Sequence, residues 1–232
     1  MLGLTAAMKH TAADFATLLY ALSVDIVDAH IHWRLAGDIA KALREHPVVA
    51  AQSNTFWHFT HKAHVDTALQ GLARAFDQEQ SSLHLLSWLQ IIRDSQCIFE
   101  VKEFKARLRD NPFVESLADT AERPDPATLD ADIASCSSAD PAVKLLVRYR
   151  GSRAAHRSKR LALKAQGTAA APSLTDPVVE ALLERARRIF NRYSYMFSAG
   201  TYSTSVVGRD DYKYIFSSVE SAVQRGRSFR EA

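Results

Sequence analysis

The chain has 232 residues, 47% of them hydrophobic and 24% charged, with a formal net charge of +3. That length suits one large domain, with two small ones as the alternative, and is enough for a core that needs no staples. The balance excludes a disordered or uniformly basic chain and permits a local basic patch. The two cysteines, Cys97 and Cys136, form no C-x-x-C pair, which fits a reducing compartment better than a disulfide framework. The opening MLGLTAAMKHTAADF lacks the pattern of a signal peptide, and no apolar run reaches the roughly 18 residues of a membrane span. The expectation is a soluble cytoplasmic protein with no membrane contact.

Only 8 glycines and 7 prolines punctuate the chain, and alanine, leucine, arginine and glutamate recur at helical spacing. The fold class read from this is all-α. A first helix is predicted from about Thr11 to His46, closed by Pro47, with Phe15, Leu18, Leu19, Leu22, Ile26 and Val27 on one face. A second runs from about Asn54 to Asp77, with Phe56, Phe59, Val65, Leu69, Leu72 and Phe76 facing inward. Ser81 or Ser82 is expected to cap a third, which carries Leu85, Leu86, Leu89 and Ile92. The region from Phe99 to Leu117 reads as two short helices broken near Asn111-Pro112, and ADTAERPDPAT as a connector.

Asp-Pro occurs three times, at Asp125-Pro126, Asp140-Pro141 and Asp176-Pro177, each ahead of a helical pattern. An aspartate at the cap and a proline in the first turn form a strong start signal. One helix is therefore predicted from Pro141 to a stop near Gly167, and another from Pro177 to near Gly200. TYSTSVV is a candidate extended piece, and a last helix covers about Asp211 to Phe229.

The stretch RYRGSRAAHRSKR, Arg148 to Arg160, falls inside the helix that begins at Pro141. At about 100° per residue, Arg150, Arg153, Arg157, Arg160 and Lys164 lie within roughly 80° of one another. They form a basic stripe about two dozen ångströms long, with His156 at its edge. Like charges on one face repel, so the stripe is either solvated and paired with acids of other helices or made for a polyanion. A histidine beside a phosphate-binding face is a candidate proton-transfer group, because its pKa lies near neutrality.

Arg150-Gly-Ser-Arg-Ala-Ala-His156 resembles the R-x(4–6)-H motif of the HEPN superfamily of all-helical nucleases, and His156-Arg157-Ser158-Lys159 resembles its AHRDK-like continuation. Ala73-Arg74-Ala75-Phe76-Asp77, followed by Ser82-Leu83 and Leu85-Leu86, is similar to a block of the abortive-infection HEPN proteins of the U type. The resemblance covers about residues 10–200 and implies a HEPN-like helical bundle with additional helices. The expected organisation is a single domain over 1–232, with a C-terminal helix at about 211–229.

The resemblance further implies metal-independent RNA cleavage in a homodimer, without a cofactor, in a setting of phage defence or toxin-like action. Arg150 would hold the phosphate, and His156 would move protons as the 2′-hydroxyl attacks. Arg153, Arg157 and Arg160 would bind RNA phosphates. The implied partners are RNA, a second copy and a neutralising protein.

Gly151 stands where that family usually has a polar residue, and Ser158 where it often has an acid. A mid-helix glycine costs about 1 kcal/mol relative to alanine, so close approach of a helix or RNA backbone is a reason to look for. The alternative is a non-catalytic module on the same fold that binds RNA, a nucleotide or a partner protein.

Three other patterns carry competing readings. Asp25-Ile-Val-Asp28-Ala-His30-Ile-His32-Trp33 is like a strand-borne H-x-H metal motif, but the surrounding spacing is helical, and residues two apart on a helix point away from each other. His58, His61 and His64 recur every three residues, and a polar edge is a simpler reading than zinc. Arg74 and Asp77 read most simply as an intrahelical pair. Phe190, Tyr193, Tyr195 and Phe197, with Arg187, Arg188 and Arg192, are either core or dimer interface, or a base-stacking surface.

Overall fold

Thr11 and Asp14 open the first helix as a reciprocal cap. The Thr11 N–H donates to the Asp14 carboxylate at 2.9 Å, and the Asp14 N–H donates to the Thr11 hydroxyl at 3.1 Å. In the computed structural model, which describes residues 10–151, 174–205, 208 and 210–231, this helix, α1, spans Ala12–Glu45. Pro47 ends it and also opens the short α2, Pro47–Gln52, where the missing N–H of proline costs nothing. Then follow α3 (Asn54–Ala75), α4 (Leu85–Asp94), a 3₁₀ turn (Gln96–Phe99), α5 (Val101–Arg107), α6 (Val114–Asp119), α7 (Pro126–Cys136) and α8 (Pro141–Tyr149). Beyond residue 173 come α9 (Asp176–Ser198) and α10 (Asp211–Glu231). No strand occurs among the described residues, and the fold is all-α.

Several local expectations change. On α3 the buried aromatic is Trp57, while Phe56 and Phe59 are 60% and 62% exposed. Trp57 lies 4.6 Å from the Phe216 ring and takes the inward position in the first turn of α3, while Leu72 and Phe76 are buried as expected. The cap of α4 is His84 rather than Ser81 or Ser82. Its Nδ1 accepts from the Ser87 N–H at 3.2 Å, and the Ser87 hydroxyl accepts from the His84 N–H at 3.0 Å.

Asp125 and Asp140 cap α7 and α8 as expected. At α9, Thr175 occupies the cap position without a side-chain bond, and Asp176 is already helical. That helix ends in a left-handed Ala199, φ 52°, one residue ahead of Gly200. The described residues after Gly200 make no strand. Asn191 takes the place of a strand partner, accepting from the Tyr202 N–H at 2.8 Å and donating to the Tyr202 carbonyl at 3.1 Å.

The described residues form two compact units. The first takes the chain up to Ile26 and Gly71–Tyr202. Its core is aromatic. Phe15 stacks on Trp88 at 5.4 Å and meets Phe197 at 4.7 Å, and Trp88 meets Phe190 at 5.4 Å. Buried Asp132 on α7 accepts from the Tyr193 hydroxyl at 3.0 Å and pairs with Arg192, which ties α7 to α9. Arg107 donates twice to the Phe197 carbonyl, satisfying the end of α9, and lies 4.0 Å over the Phe197 ring. Burial lowers the pKa of this guanidinium to about 10.

The second unit takes Val27–Gln70 and the chain from Ser203 onward. Ile39, Ala42, Val49, Trp57 and Phe216 form its core. His46 and Glu220 pair at 2.9 Å beside it. A cavity of about 420 Å³ opens among Leu35, Ile39, Phe56, Trp57 and Ile215.

Candidate functional site

Of the five residues assigned to the site from sequence, Arg150 is described. Arg153, His156, Arg157 and Arg160 lie outside the described residues, as do Lys164 and the stop near Gly167. The geometry available is therefore that of α8 and the groups around its end.

Asp140 sets the start of α8. Its Oδ1 accepts from the Ala142 N–H at 2.9 Å and the Val143 N–H at 3.1 Å. Its Oδ2 lies 3.0 Å from Nη1 of Arg185, whose guanidinium also donates to the Ser135 carbonyl at 2.7 Å. Burial alone would raise the Asp140 carboxyl, but the Arg185 guanidinium and the helix N–H groups outweigh it and hold the pKa below the ordinary value.

Along α8 the buried positions are Val143 and Leu146. Arg150 continues their three-and-four spacing, so it falls on the inward face of α8. There the helix widens into a π-type turn over Arg150 and Gly151. Such turns interrupt the regular hydrogen-bond ladder and recur at functional positions. A Cβ placed on Gly151 meets nothing within 4 Å, so no close approach among the described residues explains that glycine.

The inward course brings Arg150 to Asp77. Nη1 of the guanidinium pairs with the Asp77 Oδ1. The aspartate side chain is 12% exposed and the arginine 38%. Asp77 also accepts from the Gln78 N–H at 2.8 Å and the Glu79 N–H at 3.4 Å. Burial pushes its carboxyl up, but the Gln78 N–H and the Arg150 guanidinium more than offset this and hold it below the ordinary carboxylate range.

The neighbouring Gln78 anchors the same turn. Its amide donates to the carbonyls of Phe76 at 3.0 Å and Cys136 at 3.1 Å, and its oxygen accepts from the Ser138 N–H at 3.0 Å. The dipeptide Asp77-Gln78 thus touches the chain on either side of α8: Gln78 at the end of α7 and the loop after it, Asp77 at Arg150.

This corrects the intrahelical pairing expected for Arg74 and Asp77. Arg74 instead donates from Nε to Asp25 Oδ1 at 2.7 Å, leaving Asp77 to Arg150. The reason lies at the helix end: α3 stops at Ala75, so Asp77 has left the helical path that would place it beside Arg74. Sequence reasoning did not place Asp77 in the site. Its one signal is its position at the end of the Ala73–Asp77 block.

His84 lies close enough to Asp77 to feel its charge, yet both ring nitrogens are engaged. Nε2 donates to the Glu79 carbonyl at 3.1 Å and Nδ1 accepts the Ser87 N–H. Burial holds its pKa below the ordinary histidine value, above all other influences. Its two hydrogen bonds make it the cap of α4.

The other patterns resolve structurally. His30 and His32 sit on α1, and the Nδ1 atoms of His32 and His64 share a hydrogen bond of 2.7 Å. No group of three or more His, Cys, Asp or Glu that could hold a metal occurs among the described residues. Phe190, Tyr193 and Phe197 are buried in the core, whereas Tyr195 is exposed. Arg187 pairs with Glu184, and Arg192 with Asp132. No described helix is long and apolar enough to cross a membrane.

The comparison with protein families matches the family described as AbiU2, a HEPN family, over residues 12–215. No curated protein matches the chain, and no solved structure does. The matched span takes in both the Ala73–Asp77 block and the Arg150–His156 segment. The chain belongs to the HEPN family AbiU2.

Proposed function

We propose that the protein is a metal-independent endoribonuclease of the HEPN type, acting as a homodimer, with Arg150 and His156 as catalytic residues. The observation that carries this reading is the presentation of Arg150. Its guanidinium has one arm held by Asp77 and the side chain remains 38% exposed. A guanidinium carries five N–H donors, so donors remain for a phosphate.

In this mechanism Arg150 orients the scissile phosphate and offsets the charge that builds on its oxygens. His156 takes the proton of the attacking 2′-hydroxyl or returns one to the leaving oxygen, a task suited to histidine because the ordinary pKa of an imidazole lies near neutrality. Arg153, Arg157 and Arg160 extend the cationic face along the RNA backbone. Residues six apart on a helix lie about 120° from each other. A two-fold pair of such helices supplies the second wall of a cleft. The cytoplasm is the proposed setting, with phage defence as the role and a neutralising protein as partner.

A second reading rests on Gly151 and on the charge balance at Arg150. Asp77 already answers the Arg150 charge, and Gly151 supplies no polar side chain. A binding module without turnover would hold RNA in a salt-sensitive way and release no product.

The deciding experiment incubates the purified protein with end-labelled RNA in EDTA. The expected result is cleavage that His156→Ala abolishes while helical signal and oligomeric state persist. Cleavage that survives His156→Ala removes the catalytic assignment. Salt-sensitive binding without product selects the second reading.

A further inference from the structure

We propose that Asp77 is the positioning residue of this site: its carboxylate holds one arm of the Arg150 guanidinium, so that the remaining donors are set at a fixed angle for a phosphate. The inference rests on the ribonuclease reading for its consequence, though not for its geometry.

Asp77 is itself immobilised. Its own carboxylate accepts the Gln78 and Glu79 N–H groups, and the Gln78 side chain is bonded to Phe76, Cys136 and Ser138. A carboxylate tied in this way does not follow a swinging arginine; the arginine must come to it. The long side chain of an arginine gives up rotamer freedom when it is ordered. An anchor that orders it before substrate arrives removes that loss from the reaction. The pairing occurs at the C-cap of α8, whose backbone N–H still reaches the Leu146 and Val147 carbonyls. One partner of Arg150 is then enough to select a direction. Asp77 is 12% exposed against 38% for Arg150, so the acid forms the floor of the arrangement and the cation its open side.

The competing role is a mask, in which Asp77 neutralises Arg150 and lowers its hold on phosphate. The two differ in sign. Removing a positioning residue slows the chemical step; removing a mask speeds it or tightens binding.

The test compares wild type with Asp77→Ala, Asp77→Asn, Arg150→Ala and the double variant Asp77→Ala/Arg150→Ala. Single-turnover cleavage of a labelled RNA is followed at saturating protein. Asp77→Ala is expected to slow the maximal rate about 10- to 100-fold, the scale of an ångström-sized misplacement of a catalytic group, with the half-saturating concentration little changed. Asp77→Asn keeps an acceptor oxygen and is expected to retain more activity. In the Arg150→Ala background, Asp77→Ala should add no further loss.

The ¹⁵N guanidinium resonances of Arg150, assigned by their loss in Arg150→Lys, provide a readout independent of cleavage. Distinct Nη signals are expected in wild type and averaged ones in Asp77→Ala. Averaged signals in wild type, an Asp77→Ala rate at or above wild type, or an additive loss in the double variant overturns the inference. Wild-type protein that does not cut RNA but shows a held guanidinium overturns the ribonuclease reading and leaves the positioning intact. Should Asp77→Ala lose its helical signal, the Asn variant carries the comparison.

Discussion

Replacing Asp132 with alanine should destabilise the first unit by about 3 kcal/mol, a sum traceable to its partners. The Asp132 carboxylate is 6% exposed and receives the Tyr193 hydroxyl at 3.0 Å together with Nη1 of Arg192. Tyr193 is 1% exposed, so its hydroxyl has no route to water once the acceptor is gone. Leaving a buried donor unsatisfied costs roughly 1–3 kcal/mol. Breaking a fully buried ion pair costs about 3–5 kcal/mol, but Arg192 is 28% exposed and recovers part of that from solvent. Arg188, half exposed and 3.8 Å away, adds close to nothing. About 3 kcal/mol in a chain of this size lowers Tm by roughly 6–12 °C. Burial and the nearby Asp132 charge push the Tyr193 phenol pKa upward, so the hydroxyl stays a donor throughout the accessible pH range. Thermal and urea unfolding followed by far-UV circular dichroism provide the assay, with Tyr193→Phe as a calibrator expected to cost about 1 kcal/mol. An Asp132→Ala protein that melts within about 2 °C of wild type refutes the account of Asp132 as the hub between α7 and α9.

Burial lowers the pKa of both His84 and His64. The folded state therefore resists their protonation. Their contribution is intact above the ordinary histidine pKa and is lost as pH falls through it toward the folded values. Tm should drop as pH falls below the ordinary histidine pKa of about 6.5, and His84→Asn, which keeps a capping acceptor, should flatten that slope. Trp57→Ala should cost about 3–5 kcal/mol in the second unit, as expected for emptying a core aromatic, checked by urea unfolding monitored through tryptophan fluorescence. Cys136 is buried and its thiol is pushed up to about 12, chiefly by burial. In native protein at pH 8 a thiol reagent should leave it unlabelled until denaturant is added.

The helix framework was legible because its signals are local. The Asp-Pro pairs at Asp125 and Asp140 act through bonds within three residues, and Pro47 acts through its own missing N–H. The same locality explains the error at α3. Phe56, Trp57 and Phe59 are all large and apolar, and only the location of Phe216 decides which of them turns inward. His84 was missed as a cap because histidine is an uncommon one, and its acceptor role depends on the Glu79 carbonyl fixing the proton on Nε2.

The site divides along the same line. The residues by themselves determined an all-helical chain, a helix opened by Asp140, an arginine and a histidine six positions apart, and a resemblance that the family match bears out. What only tertiary structure decided is the partner of each charge. Arg74 and Asp77 are three apart and opposite in sign, which invites a local pair, yet the helix ends between them. Arg74 then goes to Asp25, and Asp77 to Arg150. Sequence spacing fixes angles only while the helix lasts; past its end, which charges meet depends on how the elements pack.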